Sequence, residues 1–155
     1  MRIRKYKNKD EKQVKELINK VTLEFFGRSI ITQWEDFNDY ALFLVVEKKG
    51  QIIGSVALKD KGNRTGMLKR MYIYKEFRKQ GLGQQLFNKI LEFAKKHNYT
   101  KILLSTEYFL TSAVNFYRKN GFVKIDNPNF EEDFPDLLIE DIDLKDTLCM
   151  ERRLS

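Results

Sequence analysis

The order of apolar and polar residues predicts a strand followed by a helix over residues 67–98. Residues 67–73 are mostly apolar or aromatic, which is typical of a strand. From Leu82 to Ala94, apolar residues recur at every fourth position, while glutamine and lysine occupy the opposite side. This spacing predicts an amphipathic helix with one broad apolar face. We therefore expect a strand–turn–helix unit at the centre of the fold.

Shorter patterns predict further elements on either side of this unit. Residues 1–6 alternate between apolar and basic side chains and predict a strand. Asp10 and Gln13 resemble a capping box, and the apolar spacing that follows predicts a helix ending near Gly27. Apolar runs predict further strands at residues 41–47, 51–60, 101–106 and 147–152, the first two joined by a hairpin turn.

A short second helix is predicted before residues 41–47. Thr32 is expected to cap it, and Trp34, Phe37 and Tyr40 would form its apolar side.

The turn at the centre of the chain, residues 78–83, has the sequence RKQGLG. The first N–H groups of a helix have no intrahelical acceptor and lie at the positive end of its dipole, so such a turn can bind an anion. Gly81 and Gly83 would let the backbone approach a phosphate, and Arg78 and Lys79 add positive charge. On the glycine pattern alone, a plain turn with solvated cations is the simpler interpretation. The Rossmann and Walker patterns are both absent.

A second motif, AVNFYRKNGF at residues 113–122, follows the turn, the helix and another strand. The two motifs in this order resemble the GNAT N-acetyltransferase superfamily, in which an R/Q-x-x-G-x-G/A turn binds the pyrophosphate of acetyl-CoA. The resemblance covers most of the chain. It implies an α/β (α+β) fold, with a mixed, mostly antiparallel sheet of six to seven strands and helices on both faces, in a single domain over residues 1–155.

The resemblance also implies roles for individual residues. Tyr117 matches the family's tyrosine that protonates the departing thiolate; a core aromatic residue is the alternative. Acetyl-CoA is the implied cosubstrate, with no metal. The implied cofactor-binding residues are Met71, Tyr72, Ile73, Arg78, Lys79, Gln80, Gly81, Leu82, Gly83 and Gln84.

Two positions depart from the family pattern. Relatives often carry a glutamate where this chain has Met67, and an asparagine that contacts CoA where it has Leu110. Glu107 is the substitute candidate for the general base, directly or through water, and a solvated loop acid is the alternative. Thr111 or Ser112 could replace the missing asparagine.

The acceptor is a primary amine by the same resemblance. In the family the region after the first helix lies over the acceptor site, so Phe26 and Trp34 are candidate substrate contacts, although core packing is the simpler interpretation. Residues 126–146 form an acidic segment with nine acidic residues and one lysine. We expect an irregular excursion before the last strand. It could attract a cationic amine such as a polyamine, an aminoglycoside or a lysine side chain, or be a solvated loop.

Composition limits the other function classes. At 155 residues with 42% hydrophobic content, the chain is long enough for a globular core. We expect a cytoplasmic protein with no membrane partner, because neither a signal peptide nor a long apolar run is evident. One cysteine and one histidine do not make a zinc site. The net charge of +7 suits a cofactor with several phosphates as well as it suits nucleic acid, and no nucleic-acid-binding motif is present.

Three hypotheses remain at this point. The first is an acetyl-CoA-dependent N-acetyltransferase, which is a homodimer in many members of the family. The second is a sensor or interaction module of the same fold that binds CoA without catalysis, motivated by Met67 and Leu110. The third, a nucleic-acid-binding protein, rests on charge alone.

Overall fold

The computed structural model describes residues 1–31, 33–139 and 142–155. Within these residues seven strands form one sheet, and four α-helices accompany it. The strands are β1 (Arg2–Lys5), β2 (Leu42–Lys48), β3 (Gln51–Gly62), β4 (Thr65–Ile73), β5 (Lys101–Glu107), β6 (Val123–Lys124) and β7 (Thr147–Arg153). The helices are α1 (Glu11–Phe26), α2 (Leu82–Lys96), α3 (Thr111–Lys119) and α4 (Phe130–Asp133).

The sheet is mixed and mostly antiparallel, as the sequence predicts. Its strand order is β1-β2-β3-β4-β5-β7-β6. In the described ladders β4 and β5 pair in parallel, because α2 carries the chain back across the sheet between them, and the other pairs are antiparallel.

Helices cover both faces of the sheet, which is why strand β2 is almost continuously apolar. Its alternate residues enter different cores: Leu44 packs with α2, and Phe43 and Val45 pack with α1. We call the two sides the α2 face and the α1 face. The predicted termination of α1 is confirmed, since Gly27 is left-handed with φ +69° and donates its N–H to Leu23 O at 2.9 Å.

The acidic segment, residues 126–146, completes the α1 face. Phe134 and Leu137 are buried there against Met67, Leu103 and Cys149. Among its described residues the segment contains α4 and two single helical turns, Pro135–Leu138 and Leu144–Asp146. It is therefore more ordered than the predicted irregular excursion, because its apolar residues supply a third core beneath the charges.

Two local predictions, the capping box and the second helix, are wrong. The carboxylate of Asp10 accepts hydrogen bonds from Arg4 and from the Lys7 N–H, and Gln13 Oε1 accepts the Ile52 N–H at 2.9 Å, so no Asp10–Gln13 capping box forms. Asp10 instead bonds to Arg4 and the turn before α1, and Gln13 bonds to the distant strand β3.

The predicted second helix is a single turn at Phe37–Asp39, capped by the Asp36 side chain. Thr32, its predicted cap, lies outside the described residues. Trp34 and Tyr40 pack on the α1 core from either side of this turn. Aromatic packing on that core thus accounts for the apolar spacing that had indicated a longer helix.

Candidate active site

Strands β4 and β5 diverge at the centre of the sheet. Their described ladder pairs Thr65 with Lys101 and ends at Met67 opposite Leu103, although both strands continue. Beyond this point β4 contains a bulge: Arg70 has φ +54°, and the register against β3 shifts there. The bulge bends the strand away from its neighbour and opens a gap in the sheet.

The edge of β4 along this gap presents backbone groups. Tyr74 donates its N–H to Ile53 O at 3.0 Å, toward β3. Because backbone groups alternate along a strand, the N–H and carbonyl of Ile73 face the gap. The Ile73 carbonyl accepts the Arg78 Nε–H at 2.9 Å. The N–H of Ile73, and that of Met71 by the same alternation, are donors beside the gap.

The predicted anion-binding turn lies at one end of this gap. Gly81 caps α2 with φ +82°, a conformation that favours glycine, and its carbonyl accepts the first helical hydrogen bond, from Gln85 N–H at 3.1 Å. The N–H groups of residues 82–84 precede that bond and point out of the helix end. The first turn contains no acidic residue. The turn therefore keeps the positive character that an anion site requires.

Two side chains of the turn bind protein partners. Arg78 donates two hydrogen bonds of 2.8 Å to the Glu24 carboxylate on α1, and its guanidinium lies 4.9 Å from the Phe25 ring centre. Gln84 Nε2 donates to Asn120 Oδ1 at 2.8 Å, after α3. These bonds hold the turn between α1 and α3, so its backbone N–H groups are the donors best placed for a phosphate.

A cleft of about 780 Å³ runs from this turn through the gap to the α1 face. Thr111 and Ser112, at the start of α3, line it where the family's asparagine is missing. Of the predicted site residues, Gln80 and Trp34 are not among its described lining. The predicted residues that do line it are Phe26, Met71, Tyr72, Ile73, Arg78, Lys79, Gly81, Leu82, Gly83, Gln84, Glu107 and Tyr117.

Tyr117 reaches the cleft from α3. Its ring packs edge-on against Phe116 and Phe122, with centroids 5.6 and 5.9 Å away. Burial raises the pKa of the Tyr117 phenol, and the nearby Tyr72 raises it further. The phenol is therefore protonated at any ordinary pH and able to donate.

Glu107 reaches the cleft from the end of β5. It is 6% exposed, and its carboxylate accepts the Thr147 hydroxyl at 3.3 Å. Glu107 and Leu103 are four residues apart on one strand, so both side chains point to the α1 face. This placement differs from that of a solvated loop acid. Met67, on the same face, is buried in the core beneath the acidic segment.

A charged network that no sequence pattern indicates borders the α1 face of the cleft. Arg70 donates two hydrogen bonds, of 2.9 and 2.8 Å, to Glu35, which also accepts from the Tyr40 hydroxyl. Burial opposes ionisation of Glu35, but the hydrogen bonds and charge of Arg70 outweigh it and lower its pKa to about 2. Trp34 lies 5.6 Å from the Arg70 guanidinium. The family motifs contain none of these positions, and only the bulge brings Arg70 to this side.

A second ion pair, between Lys69 and Asp136, joins β4 to the acidic segment. Lys59 lies 3.7 Å from the same carboxylate. In the described part of the chain no group of three or more histidine, cysteine or acidic side chains is arranged to hold a metal ion. None of the described helices is long and apolar enough to cross a membrane.

A model of the acetyltransferase (GNAT) family matches residues 12–122 of the chain. The match includes the turn, the gap, Glu107 and Tyr117. The chain belongs to the GNAT acetyltransferase family. The predicted resemblance is thereby confirmed.

The names of the curated relatives in the family refer to different substrates. Streptothricin acetyltransferase A of Bacillus subtilis is 26% identical over 66% of this chain and 64% of its own length. N-acetylaspartate synthetase of Danio rerio is 28% identical over 68% of this chain and 40% of its own length. The matches thus span less than two thirds of these relatives.

Solved structures of the family share the fold. An acetyltransferase from Streptococcus agalactiae has a TM-score of 0.83 at 23% identity and covers 99% of this chain and 98% of its own. The PaiA N-acetyltransferase of Thermoplasma acidophilum, solved with coenzyme A, has a TM-score of 0.73 at 18% identity over 99% and 98% of the two chains. At these identities the likeness concerns the fold, and it confirms the predicted architecture.

Proposed function

We propose that this protein transfers the acetyl group of acetyl-CoA to a primary amine, by direct attack of the amine on the thioester. The observation that carries the proposal is the gap between β4 and β5, which connects the predicted anion-binding turn and Tyr117, on the α2 face, with Glu107 on the α1 face. One continuous cleft can thus hold both substrates.

The pyrophosphate of CoA would bind at the turn. The backbone N–H groups of residues 82–84 supply directional donors, and Lys79 adds a cation at the rim. A Cβ at residue 83 would lie 3.5 Å from Met71 Cε, in ordinary van der Waals contact with the protein. The fold therefore has room for a Cβ at this position, and the absence of one leaves the backbone N–H groups of the turn unobstructed.

The thioester carbonyl would accept hydrogen bonds from β4. The Ile73 and Met71 N–H groups face the gap, and such fixed donors stabilise the negative charge that develops on the carbonyl oxygen. As the amine nitrogen bonds to the carbonyl carbon and the carbon–sulfur bond breaks, the sulfur leaves as thiolate. Tyr117 would give this thiolate its proton, because its phenol remains protonated.

The amine must lose a proton before it attacks. With a pKa near 10.4, about one primary amine in 2,500 is neutral at pH 7, a deficit of roughly 4.6 kcal/mol. Glu107 would accept this proton, directly or through a water molecule, because it lies on the α1 face of the cleft. Proton acceptance on one side of the gap and donation by Tyr117 on the other balance the transfer.

The first test is thermal stabilisation by acetyl-CoA, followed by thiol release with a panel of primary amines. Arg78→Glu is expected to abolish stabilisation if the Arg78 cation serves CoA. The matched control is the charge swap Glu24→Arg with Arg78→Glu, which restores an ion pair between α1 and the turn.

The outcomes of this test are distinct. If the swap remains unable to bind, Arg78 contributes its charge to CoA; if it recovers binding, Arg78 acts by holding the turn. Stabilisation of wild type with thiol release supports the proposed transfer. Stabilisation with no thiol release from any amine would favour the sensor hypothesis, and no stabilisation would contradict both.

A further inference from the structure

The acceptor half of the cleft has an apolar wall, defined by six side chains that line it from two separate parts of the chain. Three belong to α1 and the residues after it, and three to the acidic segment. The wall consists of Val21, Phe26, Ile30, Phe134, Leu137 and Ile142.

The apolar wall lies on the α1 face of the sheet. Phe134 and Leu137 pack on Met67 and Leu103, whose side chains point to that face. The turn begins α2, which covers the opposite face. CoA bound at the turn would approach the gap from the α2 face, so the group that meets the apolar wall is the acceptor.

The charged side chains bordering the apolar wall are already paired with one another. Lys69 pairs with Asp136, and Arg70 with Glu35. Of the described acidic residues in segment 126–146, only Asp136 lines the cleft. A second charge on the acceptor would have to compete with these partly buried pairs, whereas an apolar body would be sheltered from water.

We propose that the acceptor is a small monoamine with an apolar body, whose ammonium group is directed toward Glu107. This inference rests on the proposed function, and it defines the substrate class more narrowly. The acidic segment contributes through its apolar residues, and its described carboxylates are exposed, partly exposed or paired with lysine. A polyamine or a dicarboxylic amino acid fits this wall less well, because each carries charge where the wall is apolar.

The test compares hexylamine with hexamethylenediamine, which share a chain of six carbon atoms; the diamine carries a second ammonium group on its last carbon. In thiol release with acetyl-CoA, kcat/KM for hexylamine is expected to exceed that for the diamine about tenfold or more. Ile142→Asp should remove this preference. Leu138→Asp is the matched control, because Leu138 is exposed and is not among the described lining.

Stabilisation by acetyl-CoA reports whether each variant folds. If Ile142→Asp does not fold, Leu137→Ala provides a milder change of the apolar wall. A preference for the diamine would overturn the inference. The inference would also be overturned if substitutions in the wall changed the ratio of turnover with butyryl-CoA to turnover with acetyl-CoA but left the amine preference unchanged. In that case the wall would hold the acyl chain.

If neither amine releases thiol, calorimetric binding of the two amines to the CoA complex separates the two proposals. If hexylamine binds to the wild type and not to Ile142→Asp, the preference of the wall for an apolar amine is supported. The absence of thiol release would at the same time contradict acetyl transfer. No binding of hexylamine would overturn the inference.

Discussion

The two ends of the cleft are built by different means. At the α2 end, the available donors are backbone N–H groups of one short turn, and its side chains Arg78 and Gln84 are engaged by protein partners. The α1 end is lined by side chains brought together from α1, the β4 bulge and the acidic segment. We infer that the first end tolerates many side-chain changes, whereas the second is remodelled by single substitutions.

The largest effect is expected where the two ends meet. Tyr117→Phe removes the proton donor, keeps the ring that packs between Phe116 and Phe122, and should lower kcat about a hundredfold or more. Stabilisation by acetyl-CoA should be unchanged. Tyr108→Phe, at an exposed tyrosine, is the control. An unchanged kcat in Tyr117→Phe would assign this tyrosine to packing.

The pH dependence of kcat/KM in Glu107→Gln tests the acceptor end of the cleft. The substitution should lower kcat/KM for the amine by about ten- to a hundredfold near pH 7, with little effect on acetyl-CoA binding. The loss should shrink as the pH approaches the pKa of the amine, because the substrate then loses its proton without help. The exposed Glu131 provides a control as Glu131→Gln. A loss that is constant with pH would exclude Glu107 as the base.

Glu35→Gln should affect stability rather than chemistry. It leaves the buried Arg70 without its anion and should lower the free energy of unfolding by about 3 kcal/mol at neutral pH. Because the folded-state pKa of Glu35 is depressed to about 2, this stabilisation is present above the unfolded pKa near 4.3 and is lost as pH falls toward 2. Denaturant titrations of both proteins should therefore converge at low pH. Equal stability at pH 7 would contradict the role of the pair.

The smallest effect is expected at the rim of the α2 end. Glu24→Gln breaks the partly exposed pair with Arg78, which should cost less than about 1 kcal/mol of stability. Acetyl-CoA should still stabilise the variant, because the backbone donors remain. Loss of that stabilisation would show that the turn depends on α1 for its conformation.

The sequence predicts the α2 end well because its determinants are local. A glycine that needs φ +82° and an amphipathic helix follow one another along the chain, and their motif has a fixed spacing. The alternation of Phe43 and Leu44 between two cores likewise follows from strand geometry, because successive side chains of a strand point to opposite faces. The sheet and the position of Tyr117 could therefore be expected from the sequence.

The α1 end could not be predicted in the same way. Arg70 adopts φ +54°, which its residue type disfavours, and the bulge is held by the Ser55 hydroxyl on its carbonyl at 2.7 Å. The partners of Lys69 and Arg70 are far away in the sequence, at Asp136 and Glu35. Contacts of this kind leave no local pattern, so the charges of the acidic segment were more conspicuous in the sequence than its buried apolar residues.

The central claim is that CoA and the acceptor reach the β4–β5 gap from opposite faces. Amide chemical-shift mapping by NMR tests it most directly. Acetyl-CoA should shift the amide signals of Ile73, Gly83 and Gln84, and subsequent hexylamine should shift those of Leu137 and Ile142. Shifts by both ligands at residues 82–84, with none on the acidic segment, would contradict the claim.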